Sequence, residues 1–282
     1  MKALGILWAG ALMLIGSLPL FAAGLGGQAV TLSTPDGWQL AAVYQPAKEA
    51  NKTVVLVHDL GKQKEAFAKL AKALESAGYG YVAFDLRGHG ESTNQGEAFH
   101  FAREGLDNEF NKMPRDVDAV LSFLKKKGVT VDETVLLGAG LGANVAAKSV
   151  SFTPDVPALA LISPTTNNRD VLTIPAMRVY KGAVLIAAAA DDKKTFLEAS
   201  VIRNVAYLTT GAGKVTFLTA YDLASHEMLD KYFIPTVLQW LAAPVLPEVK
   251  PDVVMAPAAV EDGSFAVSPS GTEEALFPSV LE

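Results

Sequence analysis

Six stretches of this chain are apolar from end to end, and segments with helical spacing separate most of them. Thr53 to His58 reads Thr-Val-Val-Leu-Val-His, and Tyr79 to Asp85, Thr134 to Ala139, Ala158 to Ser163, Ala183 to Ala188 and Val215 to Ala220 follow. A strand with no polar alternation is buried on both faces, as a parallel strand between two layers of helices must be. Phe67, Leu70, Ala71 and Leu74 mark one helix, stopped by Gly78. Val117, Val120, Leu121 and Leu124 mark a second, stopped by Gly128. A helix starts at Leu141, and Phe233, Val237, Trp240 and Leu241 mark the last. Ahead of the pattern, 29–34 and 39–44 are joined by Pro35-Asp36-Gly37, a hairpin signal. The expected architecture is α/β: a mostly parallel sheet of about eight strands with helices on both faces. Ligands of such sheets bind at the carboxyl ends of the strands.

The two ends of the chain read differently. Lys2 precedes an apolar run from Leu4 to Leu20, and the small residues Ala22, Ala23 and Gly24 follow. That is the pattern of a signal peptide over 1–24, which implies a periplasmic or secreted protein with no stable membrane span once the leader is cleaved. From Pro244 onward Pro, Ala, Val, Glu and Ser dominate without period, so 244–282 is expected to be a disordered tail, and a protein partner could bind it. The folded domain is expected over 25–243.

Composition excludes several chemistries. There is no cysteine, hence no disulfide, thiol catalysis or thiolate-bound zinc. Net charge is −6, and the one basic cluster, Lys125-Lys126-Lys127, sits at a helix end where cations complement the dipole, so nucleic acid is not an expected partner. Four histidines, at 58, 89, 100 and 226, show no metal-ligand spacing, and no phosphate loop or dinucleotide fingerprint stands out. No metal or cofactor is expected.

The strand ends carry His58-Asp59-Leu60-Gly61, Asp85-Leu86-Arg87-Gly88-His89-Gly90, Gly138-Ala139-Gly140-Leu141-Gly142, Asp191-Asp192 and Ser225-His226. With these motifs in this order, residues 29–243 resemble the α/β-hydrolase superfamily, in particular small bacterial esterases and dienelactone hydrolases with little or no cap. Fewer than 20 residues separate Ser163 from Ala183, which leaves no room for a large cap. The resemblance implies a nucleophile elbow Gly-x-Ser-x-Gly at 138–142, a triad acid at Asp192 with Asp191 as second choice, and a histidine base at His226. It implies oxyanion donors at the backbone N–H groups of Leu141 and of the Asp59-Leu60 loop, Leu60 being the expected donor. It also implies that the loop at Asp85, Arg87 and His89 is structural. The segment 93–114, with His100 and Arg103, is expected to rim the pocket.

Two departures matter. Gly140 stands where the family has serine, so no acyl-enzyme can form there. The oxyanion loop, which commonly begins His-Gly, has Asp59, a carboxylate that disfavours an oxyanion unless it points away. The other serines near these motifs (Ser92, Ser149, Ser151, Ser163, Ser225) are expected to lie too far off or to face elsewhere. Two functional classes remain: a degenerate hydrolase that binds an acyl or ester-like small molecule or a partner, and an esterase with residual activity through water held by a His226–Asp192 dyad.

Overall fold

The computed structural model describes residues 24–48, 51–105, 107–221 and 225–244. The readings of a leader and of a tail therefore fall outside the described residues, except at Gly24 and Pro244. Ten strands occur in chain order: β1 (Gln28–Ser33), β2 (Gln39–Gln45), β3 (Thr53–Val57), β4 (Gly80–Phe84), β5 (Thr134–Ala139), β6 (Ala158–Ile162), β7 (Asn167–Asn168), β8 (Val171–Leu172), β9 (Ala183–Ala189) and β10 (Val215–Ala220). Eight of them form one sheet in the order β1-β2-β4-β3-β5-β6-β9-β10. β1, β2 and β4 pair antiparallel, and every other neighbour pair is parallel. This is the expected α/β sheet, opened by a hairpin.

Alternate residues of the central strands feed two separate cores. Val55, Val57, Val82, Phe84 and Leu136 join the helices Pro114–Lys126 and Leu141–Ser149 on one face. Val54, Leu56, Tyr81, Ala83 and Leu137 join the helices Ala68–Ser76 and Ile234–Ala242 on the other. Every residue of β3, β4, β5, β6 and β9 is buried. β10 differs, because as an edge strand it is only partly covered despite its apolar sequence.

Three elements are absent from the sequence reading. A helix over Lys193–Thr210 buries only Ala199, Ile202 and Ala206 strongly, a stripe too narrow to show against Lys193, Lys194, Glu198 and Arg203. The β7–β8 hairpin pairs two residues with two, and its turn holds Arg169 and Asp170 at φ 55° and 64°. A single helical turn, Ile174–Met177, follows it. The buried Asn144 side chain ties the helix Leu141–Ser149 to this segment: its amide donates to the carbonyls of Thr165 and Val171 (2.9 and 2.8 Å), and its oxygen accepts from the Thr165 N–H (3.1 Å).

Candidate active site

The site is built where β3, β4 and β5 end together, Val57 lying level with Phe84 and with Gly138. After β4 the chain turns through Asp85, Arg87 and His89, all buried. Asp85 accepts from the backbone and ammonium of Lys64 (2.8 Å each) and from the Glu91 N–H (3.0 Å). The Arg87 guanidinium donates to Asp116 (2.8 and 2.7 Å), to Asp36 (2.9 Å) and to Glu109 (2.9 Å). Burial lifts the Asp116 carboxyl to about 6 against the pull of Arg87. Burial would raise Asp36 too, yet hydrogen bonds from Arg87, Thr34 and Arg115 hold it well below the usual carboxylate range. The Asp85 and Arg87 groups are spent on these partners, and His89 Nδ1 on the Arg87 carbonyl (3.0 Å), so the loop is a hydrogen-bonded turn, with His89 Nε2 left unpartnered among the described residues.

His58 ends β3 fully buried. Its Nδ1–H donates to the Asp59 carbonyl (2.7 Å), and its Nε2 accepts from the Leu86 N–H (3.0 Å). Burial, then the neighbouring His89, push its pKa down to about 3. His58 is thus a neutral strut between the two loops.

Beyond β5 the chain enters its next helix through Gly140 at φ 54°, ψ −120°. That left-handed region disfavours L side chains and suits glycine. The Gly140 N–H donates to Ile162 O (2.9 Å), and its own carbonyl accepts from Ala143 (3.0 Å), so the turn is held at both ends. The space above its Cα is taken: a Cβ built on Gly140 would fall inside the carboxylate of Asp59. Asp59 Oδ1 accepts from the Leu141 N–H and from the Leu60 N–H, at 2.7 Å each. The two donors named from the sequence therefore converge on one oxygen, and that oxygen belongs to the protein. The carboxylate of Asp59 points into the donor pair rather than away from it.

His226 lies on a short helical turn, Ser225–Met228, against the ring of Phe67 (centroids 5.0 Å apart). Its Nε2 is buried without a partner among the described residues. Burial lowers its pKa; the charges acting on it are Asp59 and Asp230, which raise it, and Lys62, which lowers it. Asp192 sits elsewhere: it is the N-cap of Lys193–Thr210, accepts from the Thr195 N–H (3.1 Å), and has its pKa lowered chiefly by the Thr195 side chain, with that N–H adding to it. The structure thus gives Asp192 a capping role in place of the orienting contact expected of it, because two exposed acidic residues precede a helix that needs a cap. Asp191, the second choice, is exposed at the end of β9.

Ser225 is nearer the site than the sequence reading allowed. Its hydroxyl donates to Asp59 Oδ2 (3.3 Å) and lies 3.5 Å from His226 Nδ1. Neighbouring residues seldom face each other, but here the hydrogen bond to Asp59 holds the Ser225 hydroxyl on the side of the His226 ring. Two of the other serines are used structurally: Ser92 bridges Asp85 O and the Ala41 N–H, and Ser149 donates to Val145 O.

Beside this cluster opens a cleft of about 920 Å³, with Leu60 and His226 at one end. The segment before the second predicted helix does form its rim, through Phe99, Phe101, Arg103 and Phe110, while His100 stacks on Phe99 (centroids 3.8 Å apart). No described helix is long and apolar enough to cross a membrane.

An eight-stranded, mostly parallel sheet with polar residues gathered in the segments that follow β3, β4 and β10 is an α/β-hydrolase-superfamily fold. Residues 48–199 match the model of the serine aminopeptidase S33 family, and the chain belongs to that family. No curated protein matches the chain in sequence. Among solved structures, the Pyrococcus furiosus esterase Pf2001 superposes with a TM-score of 0.63 at 15% identity, over 77% of this chain and 92% of that one. Est1E from Butyrivibrio proteoclasticus, solved with ferulic acid, gives 0.59 at 16% identity over 76% and 96%. A soluble variant of the Saccharomyces cerevisiae monoglyceride lipase, solved with a substrate analogue, gives 0.58 at 13% over 82% and 99%. These similarities establish the fold.

Two outcomes follow from the geometry. Gly140→Ser alone must expel the Asp59 carboxylate from its two N–H donors and hold a side chain at positive φ. Each backbone hydrogen bond to a charged group is worth roughly 1.5–3 kcal/mol and the strain about 1–3 kcal/mol, so chemical denaturation should show a loss on the order of 3 kcal/mol. A loss below about 0.5 kcal/mol, the range of an ordinary surface substitution, would contradict the packing described. Second, His58 is neutral when folded but takes a proton when unfolded below its ordinary value of 6.5. Its stabilising contribution is complete above that pH and is lost as pH falls towards the folded value of about 3. Measured against His58→Asn, which cancels all other titrations, the stability gap should shrink by about 1.4 kcal/mol for each pH unit below 6.5. A gap independent of pH would show that folding does not alter proton uptake by His58 and would contradict its burial as a neutral strut.

Proposed function

We propose that this chain is an exported member of its family in which acyl transfer has been given up, and that it acts by binding a small acyl or ester-like molecule in the cleft beside the closed site. The observation that carries this reading is Asp59 Oδ1, 2.7 Å from both backbone donors that would have to hold an oxyanion. An oxyanion placed there would meet a carboxylate where negative charge must be stabilised. Gly140 supplies no oxygen to attack a carbonyl, and Asp192 caps a helix, with no hydrogen bond to His226 among the described residues. Loss of a triad nucleophile costs roughly 10^6-fold in rate. The retained backbone turn, at an angle glycine adopts freely, fits a site kept for shape.

A second reading, residual hydrolysis, has a specific observation in its favour, the Ser225 hydroxyl close to His226. It differs from the dyad expected from the sequence, because the group beside the imidazole is a hydroxyl and not Asp192. Its weakness is that attack by Ser225 would create an oxyanion with its natural donors already occupied.

A serine-directed fluorophosphonate separates the two. The wild-type chain should remain unlabelled and turn over a short activated ester at the buffer rate. Labelling abolished by Ser225→Ala would overturn the binding reading. The double variant Asp59→Gly with Gly140→Ser, which both vacates the donors and restores the hydroxyl, should take the label where Gly140→Ser alone does not. The leader reading is checked separately: expressed in a bacterial host, the chain should be recovered from the periplasm with its N-terminus near Gly24, and an intact Met1 on protein retained in the cytoplasm would refute export.

A further inference from the structure

We propose that the cleft takes a small aromatic carboxylate, its ring against Phe99, Phe101 and Phe110 and its carboxylate on Arg103 and Arg169. The assignment rests on the closed-site reading, since a ligand held as the acid needs no cleavage.

Charge is the first argument. The chain is acidic overall, at −6, yet Lys62, Arg103 and Arg169 all line this one cleft. None of the three forms an ion pair among the described residues. The acidic side chain on the wall, Glu65, is paired with Lys64 through Oε1 at 3.4 Å, while its Oε2 has no hydrogen-bond partner among the described residues. Unpartnered guanidinium groups match a carboxylate in shape as well as charge.

The second argument is the fixed position of the residue that supplies one of those charges. Arg169 and Asp170 are the two turn residues of the β7–β8 hairpin, and both take the positive φ that a two-residue hairpin turn requires. Here the Asn108 amide donates to Arg169 O (3.1 Å), the Gly105 N–H to Asp170 Oδ2 (2.7 Å), and the Asp170 N–H to Asn167 Oδ1 (2.9 Å). The result sets the Arg169 guanidinium 5.8 Å from the centre of the Phe110 ring, on the cleft wall.

The third is the apolar wall. Phe101 and Phe110 meet edge to face at 5.5 Å, an arrangement a further ring can extend. Phe99 is 76% exposed at the cleft mouth, a large apolar side chain with its surface left to water. The ligand's carboxylate must be bound at the cations because the oxyanion donors at the other end already hold Asp59.

Calorimetric titration of the full chain with 3-phenylpropionate, its methyl ester, acetate and octanoate tests the assignment. The aromatic acid should bind about tenfold more tightly than the ester, which lacks the charge, than acetate, which lacks the ring, and than octanoate, which lacks the aromatic face. Arg103→Ala and Arg169→Gly should each weaken it by roughly three- to tenfold without changing the melting temperature by more than a few degrees, glycine being chosen at 169 because it accepts the left-handed angle. Equal binding of acid and ester, equal binding of octanoate, absence of measurable heat with every ligand, or indifference to both arginine substitutions would overturn the proposal. Chromatography of the recovered ester separates the two levels. Hydrolysed ester defeats the closed-site reading itself, whereas intact ester with no preference for the acid defeats only the ligand assignment.

Discussion

The arrangement at the strand ends depends on one shared acceptor: a single carboxylate oxygen of Asp59 accepting the N–H groups of both Leu60 and Leu141. Both donors are obligatory. One opens the helix Leu141–Ser149, whose first amides have no partner within the helix, and the other lies in a tight loop after β3. In a fold of this superfamily such a pair is open to a ligand or to water. Here the chain satisfies it internally, with a charged acceptor, so the loop after β3 and the turn after β5 are pinned together by a charge-assisted bond. His58 adds a second clasp by joining the same loop to Leu86, and Ser225 a third by donating to Asp59 Oδ2. The hydroxyl that stands beside the imidazole of His226 is thereby turned toward the carboxylate of Asp59.

The carboxyl-end surface is otherwise organised by charges that neutralise each other below the surface. Arg87 is fully buried and engages Asp116, Asp36 and Glu109, while Lys64 engages Asp85 and Glu91. Removing one partner from such a group would strand the others, which is why the loop tolerates little change and contributes rigidity rather than reactivity. Lys62, Arg103 and Arg169 on the cleft are among the described cations that carry no such ion pair, and there they face an open surface.

Much of this was legible in the sequence. Strands buried on both faces leave continuous apolar runs, and the strand limits fall within one or two residues of those expected. The Gly138–Gly142 run marked its turn because the close packing of Gly138 and Gly142 against neighbouring backbone, and the positive φ of Gly140, each exclude side chains. What the sequence could not fix was direction. Asp59 was identifiable as anomalous, but whether its side chain points in or out depends on a donor from a residue 82 positions away. Asp192 misled because an acid after a strand and an acid before a helix look the same in one dimension; the helix that decides between them, Lys193–Thr210, buries too little to announce itself. Ser225 was set aside on a rule about loops, and the segment is a helical turn. Arg169 gave no signal, since its position depends on a two-residue hairpin with an unusual turn.

Seen from the contact that holds the site, glycine at 140 and aspartate at 59 are not two independent departures from the family pattern. A side chain at 140 would occupy the volume that the Asp59 carboxylate fills, so aspartate can enter the donor pair only when residue 140 is glycine. Conversely, glycine at 140 removes a side chain from a turn where two backbone N–H groups already converge, and a short carboxylate from the adjacent loop is the nearest group able to satisfy both. Each residue makes the other favourable, and either alone is poorer: serine with aspartate clashes, while glycine without aspartate leaves a polar hollow to be solvated. The pair forms a single structural unit in which a carboxylate stands where a reacting carbonyl oxygen would be held. Such a unit stabilises the ground state of the folded protein with the same donors that its relatives' fold makes available for stabilising developing charge.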